Sequence, residues 1–202
     1  MPIGPILIIA AFFLFLIGIV VWAIRYGRRK NKEKNQHYRD FALRLNLAYN
    51  EKPHLFVKLP VLSGTFRNHP IELYEKVKGS GKNQTFYTIV ELQGSLHNFQ
   101  FRIGKEHFFS KIGKKFGFKD IEFDQFELDK KFLFKSKDEE QFRALMNYKI
   151  LHELEGIADH LKGSIEHIDG VLSYTQVGVL SKPEQFDGIE KVIHFMEQLM
   201  RK

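Results

Sequence analysis

Three groupings in this 202-residue chain have the residue types and spacing to do chemistry. His152-Glu153 opens like the zincin pattern H-E-x-x-H, in which two histidines one helical turn apart bind zinc and the glutamate acts as base. The fifth place of that pattern is Gly156, so the second ligand is missing and a solvated helix face explains the pair better. Asp159 and His160, followed by His167 and Asp169, are the densest histidine and carboxylate group. They could converge on a metal or act as an acid/base pair, because imidazole titrates near neutrality. Against this, His167 and Asp169 fall at a hairpin, where Asp169 has a turn role of its own. Gly79-Ser80-Gly81-Lys82 has the composition of a phosphate-cradling loop, but a Walker A loop needs glycine where Lys76 stands and Ser or Thr where Asn83 stands. A flexible hairpin connection is the better account.

A fourth grouping is a surface rather than a catalytic pattern. Lys105, Lys111, Lys114, Lys115 and Lys119 are interleaved with His107, Phe108, Phe109, Phe116 and Phe118. Basic and aromatic residues together suit nucleic-acid stacking or an interfacial helix. The plain alternative is a short amphipathic helix with phenylalanines inward and lysines in water. Lipid contact ranks ahead of nucleic acid because the chain also carries what reads as an anchor.

That anchor is the run from Ile3 to Ile24, which holds no charged residue. Its 22 residues, as a helix rising about 1.5 Å each, reach across a hydrocarbon core of about 30 Å. Trp22 and Tyr26 fall where an interfacial aromatic belt would lie. Positive charge follows the run instead of preceding it, as Arg25, Arg28, Arg29, Lys30, Lys32 and Lys34, which is the reverse of a cleaved signal. The positive-inside rule therefore predicts a cytoplasmic domain and an N-terminus sent across. Of 31 lysines and arginines, these six sit with one acid, Glu33, leaving 25 positive against 23 negative residues elsewhere. The formal charge of +7 thus belongs mostly to this collar, and nucleic acid is not expected as a partner.

The elements that must position these residues can be read from periodicity. Tyr38, Phe41, Ala42 and Leu45 have helical spacing. Four strand-like runs follow, Val61–Arg67, Ile71–Val77, Thr85–Leu92 and Asn98–Ile103, with short polar connections that favour antiparallel meanders. Phe132–Lys135 reads as a further strand. Ser136 and Glu139 form an S-x-x-E capping box for a helix running through Leu154 and on to Leu161, with Gly163 as its stop. Asp169-Gly170 predicts a hairpin between 163–168 and 171–177. Ser181, Pro183 and Glu184 then start an amphipathic helix through Phe186, Ile189, Ile193, Met196 and Leu199. Cysteine is absent, which excludes disulfides and thiolate chemistry.

The stretch Ile121–Leu154, with Phe126, Asp129, Phe132, Phe134, Ser136, Asp138 and Leu145, resembles a recurring segment of bacterial membrane-anchored proteins whose soluble domain has no assigned function. The Leu45-Asn46-Leu47-Ala48 helix end and the Leu62-Ser63-Gly64 turn fit the same likeness, which extends over most of residues 35–202. The resemblance implies no reaction, cofactor or catalytic residue.

The expected protein is α+β: residues 1–24 a transmembrane helix, 25–34 a basic juxtamembrane segment, and 35–202 a soluble domain with an antiparallel sheet and about three packed helices. Its expected role is a non-catalytic interaction or lipid-facing module at the inner face of the cell inner membrane or plasma membrane, without a cofactor. Its partners would be the bilayer and a membrane-associated protein. The competing expectation is a membrane-tethered hydrolase or metal enzyme built on His160, His167 and Asp169.

Overall fold

The computed structural model describes residues 3–54, 57–94, 99–105, 117–123 and 126–201, with the side chains of α1 described from residue 12 onward. The chain begins with one unbroken helix, α1 (Ile3–Arg44), that joins the uncharged run, the basic collar and the first amphipathic segment. It ends in a Schellman motif: Leu47 N–H donates to Ala42 O (2.8 Å) and Asn46 N–H to Leu43 O (3.2 Å). Asn46 occupies the left-handed position at φ 55° that the motif requires.

Strands β1 (Ala48–His54), β2 (Val57–Phe66), β3 (His69–Lys78) and β4 (Thr85–Gln93) form an antiparallel meander. Arg67 and Asn68, both at positive φ, make the two-residue turn between β2 and β3. Then come β5 (Phe101–Gly104), β6 (Lys119–Ile121), helix α2 (Phe126–Lys131), β7 (Leu133–Ser136), helices α3 (Glu139–Leu145) and α4 (Tyr148–Gly156), β8 (Ser164–Ile168), β9 (Val171–Val177) and helix α5 (Pro183–Leu199). The nine strands make one antiparallel sheet in the order β1-β2-β3-β4-β9-β8-β5-β7-β6. The α+β class is as expected, but the described residues hold five helices where about three were anticipated.

Three expected element boundaries are corrected by local hydrogen bonding. The cap of α3 is Asp138, whose carboxylate accepts from Gln141 N–H (3.0 Å), while Ser136 ends β7 and donates its hydroxyl to Asp138 O (2.8 Å). The long helix expected from there to Leu161 is two helices, because Asn147 caps a new one by accepting from Ile150 N–H. At α5 the reach-back residue is Gln185, not Glu184: its Oε1 accepts from the backbone N–H of Ser181 and Lys182. The Asp169-Gly170 hairpin is where it was expected, with both residues at positive φ and Ile168 paired with Val171.

Register explains the core. One helix-facing row runs through Leu62, Leu73, Val90, Tyr174, Ile165, Ile103, Phe134 and Ile121, each the cross-strand partner of the next and all buried. The α1 face of Tyr38, Phe41 and Leu45 and the α5 face of Phe186, Ile189, Ile193 and Met196 belong to the same core. The Phe186 ring meets Tyr38 edge-on at 4.9 Å and Phe41 at 5.3 Å, which locks the two helices together. The opposite sheet face carries a polar row, Glu72, Glu91, Ser173, Glu166, Arg102, Lys135 and Asp120, again in direct register.

One helix-facing row is polar although buried. Glu75 pairs with Thr88 and Thr88 with Gln176, and above them lies the collar end of the helix. The Glu75 carboxylate has no exposed surface; it accepts from Lys34 Nζ at 2.7 Å and from the Tyr38 hydroxyl at 2.9 Å. Burial, reinforced by the Glu75 charge, raises the Tyr38 hydroxyl well above its usual pKa, so it stays a donor. Lys34 is therefore both the last residue of the basic collar and the counter-charge of a buried carboxylate.

Replacing Glu75 by Leu strands the Lys34 ammonium against the sheet and is expected to lower stability by about 3–5 kcal/mol, whereas adding Lys34→Met should restore most of the loss. Denaturant titration of the full chain in detergent, followed by far-UV circular dichroism, reads both. Gly163 gives a second check: a Cβ there would lie 2.0 Å from Thr175 O, a backbone atom that cannot swing aside. Gly163→Ala should cost about 1–3 kcal/mol in the same titration.

Candidate functional site

The residues of the expected metal cluster do not come together. His167 lies in a buried helix-facing row of the sheet, between cross-strand partners Leu172 and Phe101. Its Nδ1 is 2.8 Å from Phe99 O and its ring stacks on Phe101 at 5.4 Å. Asp169 sits in the hairpin turn and accepts from Gln100 Nε2 at 3.1 Å. His160 is elsewhere, against α5, where its Nε2 accepts from Lys191 Nζ at 2.9 Å. It shares a small pocket with Gln176, which lies four steps along β9 from the Leu172 that pairs with His167, about 13 Å away. Among the described residues no group of three or more metal-ligating side chains is placed to hold an ion. His152 stands on the exposed side of α4 stacked on Tyr148, and the 79–83 loop closes as a short 3₁₀ turn through Asn83 N–H to Ser80 O.

The basic and aromatic stretch is only partly described. Lys111, Lys114 and Lys115 lie outside the described residues, Lys105 follows β5, and Lys119 begins the edge strand β6. The helix expected over this stretch therefore does not extend to Lys119. Phe118 lies under two cations, with the Arg102 guanidinium 4.7 Å and the Lys137 ammonium 5.6 Å from its ring centre.

The collar end of the fold supplies a different constellation. Arg28, Lys32, Asn35 and Arg39 recur at one helical turn or two along one side of α1, and the β1–β2 hairpin brings Glu51 and Lys58 opposite them. With Asn31 these residues line a pocket of about 260 Å³ that holds four cations and one carboxylate. Glu51 organises it. The carboxylate accepts from the Tyr49 hydroxyl (2.7 Å), Asn35 Nδ2 (3.3 Å), Arg39 (3.4 Å) and Lys58 (3.4 Å). Donation from Tyr49, helped by Lys58 and Arg39 and opposed by burial, holds Glu51 below the usual carboxylate range. Desolvation, with the Glu51 charge adding to it, pushes Tyr49 up to about 12. Both groups keep these charge states at neutral pH.

Trp22, Arg25, Arg28, Arg29 and Lys30 all lie on α1, as does the uncharged run. Phe12, Leu14, Phe15 and Trp22 are each more than half exposed. Among the described residues no helix is long and apolar enough to cross a membrane; residues 3–11 of the run are described only as helix backbone. Helical spacing in the collar is readable in the sequence, but Glu51 and Lys58 join it only through a strand pairing that involves β1, which periodicity alone did not reveal.

No protein-family model matches the sequence, and no curated protein does. Among solved structures, the fold is similar to the crystal structure of the mycobacterial trehalose monomycolate transport factor A, with a TM-score of 0.56 over 82% of this chain and 93% of that one. Sequence identity is 12%, so the likeness is one of fold.

His167→Ala should cost about 2–4 kcal/mol by emptying a packed site, while His160→Ala should stay within about 0.5 kcal/mol of the parent. A shared metal centre would instead make both substitutions release bound zinc together, which elemental analysis of the purified variants checks.

Proposed function

We propose that this chain is a non-catalytic, single-pass membrane protein whose α+β domain works at the inner face of the cell inner membrane or plasma membrane as an interaction and lipid-facing module. The observation that carries the reading is the continuity of α1. One helix runs from exposed apolar residues through a cationic collar into the Lys34–Glu75 pair at the sheet. An apolar helical stretch from Ile3 to Ile24 suits a bilayer interior, where every backbone group must be satisfied within the helix. Arg25, Arg28, Arg29 and Lys30 then face the anionic leaflet, each worth about 1 kcal/mol near its surface.

Partners in this reading are the bilayer itself and a membrane-associated protein. The separation of His160 from His167 favours this reading over metal-dependent hydrolysis. On this reading the chain is one of the bacterial membrane-anchored proteins that its Ile121–Leu154 stretch resembles.

The chain has no cysteine, so single introduced cysteines report topology without background. Full-length protein should stay with membranes through alkaline carbonate extraction. A Lys149→Cys variant, at an exposed position of α4, should react with a membrane-impermeant maleimide in inverted vesicles but not in intact cells. Release by carbonate sinks the anchor, and labelling in intact cells reverses the orientation.

A further inference from the structure

We infer that the collar pocket is a binding site for the headgroup of an anionic lipid that joins a phosphate to a hydroxyl-bearing group, as phosphatidylglycerol does. The inference rests on the membrane-tethered reading above and assigns it a specific ligand chemistry.

Charge gives the first part of the argument. Glu51 is already engaged by four donors, and it pairs with Arg39 and Lys58. Arg28 and Lys32 have no carboxylate at ion-pair distance among the described residues. The pocket thus carries a net positive charge that its own carboxylate leaves unmatched. Guanidinium and ammonium groups converging on one small space are the usual recognition set for phosphate oxygens. At about 260 Å³ the space lies just below the 300–1,000 Å³ typical of drug-sized ligands and fits a headgroup better than an acyl chain.

A second, independent observation concerns Asn35. Its side chain is 93% buried, its Nδ2 is committed to Glu51, and its Oδ1 has no hydrogen-bond partner. Turning the amide over does not help, because it would set Oδ1 against the Glu51 carboxylate. A buried carbonyl oxygen without a donor calls for an explanation. Oδ1 has no accessible surface in the free protein, so binding requires the Asn35 carboxamide to turn toward the pocket, where a ligand hydroxyl supplies the missing donor beside the four cations. A bare phosphate diester does not.

Position decides between a lipid and a soluble phosphate. Arg28 lies four residues beyond Ile24, about 6 Å along the helix, within the headgroup layer of a bilayer. Helical side chains lean toward the N-terminus, so Lys32, eight residues beyond Ile24, reaches back toward that same layer.

The test uses the full chain in nanodiscs of phosphatidylcholine doped with phosphatidylglycerol or with phosphatidylmethanol, which has the same charge but no headgroup hydroxyl. Retained lipid is read by native mass spectrometry. Lys32→Gln with Lys58→Gln should lower phosphatidylglycerol retention about thirtyfold, as expected for two surface charges. Lys52→Gln with Lys149→Gln, which removes the same charge elsewhere, should leave it unchanged. The parent should prefer phosphatidylglycerol to phosphatidylmethanol by about fivefold, the worth of one hydrogen bond, and Asn35→Leu should erase that preference. Unchanged retention in the pocket variant, or an equal loss in the control variant, overturns the site. No preference between the two lipids overturns the hydroxyl contact. Displacement of lipid by inorganic phosphate at matched concentration makes the pocket a soluble-anion site and overturns the lipid assignment. All of these leave carbonate resistance intact, so failure here is distinguishable from failure of the anchor.

Discussion

Glu75 is the constraint from which the arrangement of this protein follows. A carboxylate with no exposed surface, placed in the middle of a sheet, is tolerated only if cations or donors reach it. Lys34 and Tyr38, one helical turn apart, supply both. That requirement sets the rotation of α1 about its axis, since turning it away would withdraw both donors at once. With the rotation set, Phe41 and Leu45 meet the apolar rows, and Tyr38 presents its ring edge to Phe186 on α5. The division of the chain at residue 35 separates Lys34 from its partner, so the collar and the folded domain share a residue.

The helix-facing side of the sheet has a gradient. Rows far from the collar are apolar and aromatic, with Phe101, Phe134 and Phe142 gathered around α3. The row nearest the collar is Glu75, Thr88 and Gln176, tied by Thr88 Oγ1 to Gly178 O and by the Tyr174 hydroxyl to Gln176. Concentrating buried polar groups at one end is costly for packing but leaves that end specified by directional bonds. The other extremity is held by charge as well, where Glu197 on α5 takes both Arg67 from the β2–β3 turn and Arg201. Helices and sheet are thus pinned at both ends, with hydrophobic contact between.

Much of this was legible in the sequence because the signals were local. The Asp169-Gly170 turn, the strands of the meander from β2 to β4, and the amphipathic start and end helices each follow from spacing within a few residues. What stayed hidden needed partners distant in sequence. β1 carries Pro53 and little alternation, and it exists as a strand because β2 pairs with it along seven residues at the sheet edge. The break between α3 and α4 turns on Asn147, a cap that looks like one more polar helix residue until its carboxamide meets Ile150 N–H. The candidate metal cluster had density in sequence but not in space, since His167 belongs to a strand and His160 to the seam with α5. Conversely, the collar pocket draws Glu51 and Lys58 from a hairpin that periodicity in the collar cannot foresee.

The unbroken course of α1 also turns a length into an angle. A helix advances about 100° per residue, so the collar acts as a phase setting between whatever holds residues 3–24 and the sheet that grips Lys34. One residue more or fewer in that stretch would change the height of the domain by only about 1.5 Å yet swing it through more than a quarter of a circle. A compensating change would need about seven residues, two full turns, to bring the same flank back around. The collar's residue count is therefore a compass bearing: it determines which side of the domain looks along the surface beside it.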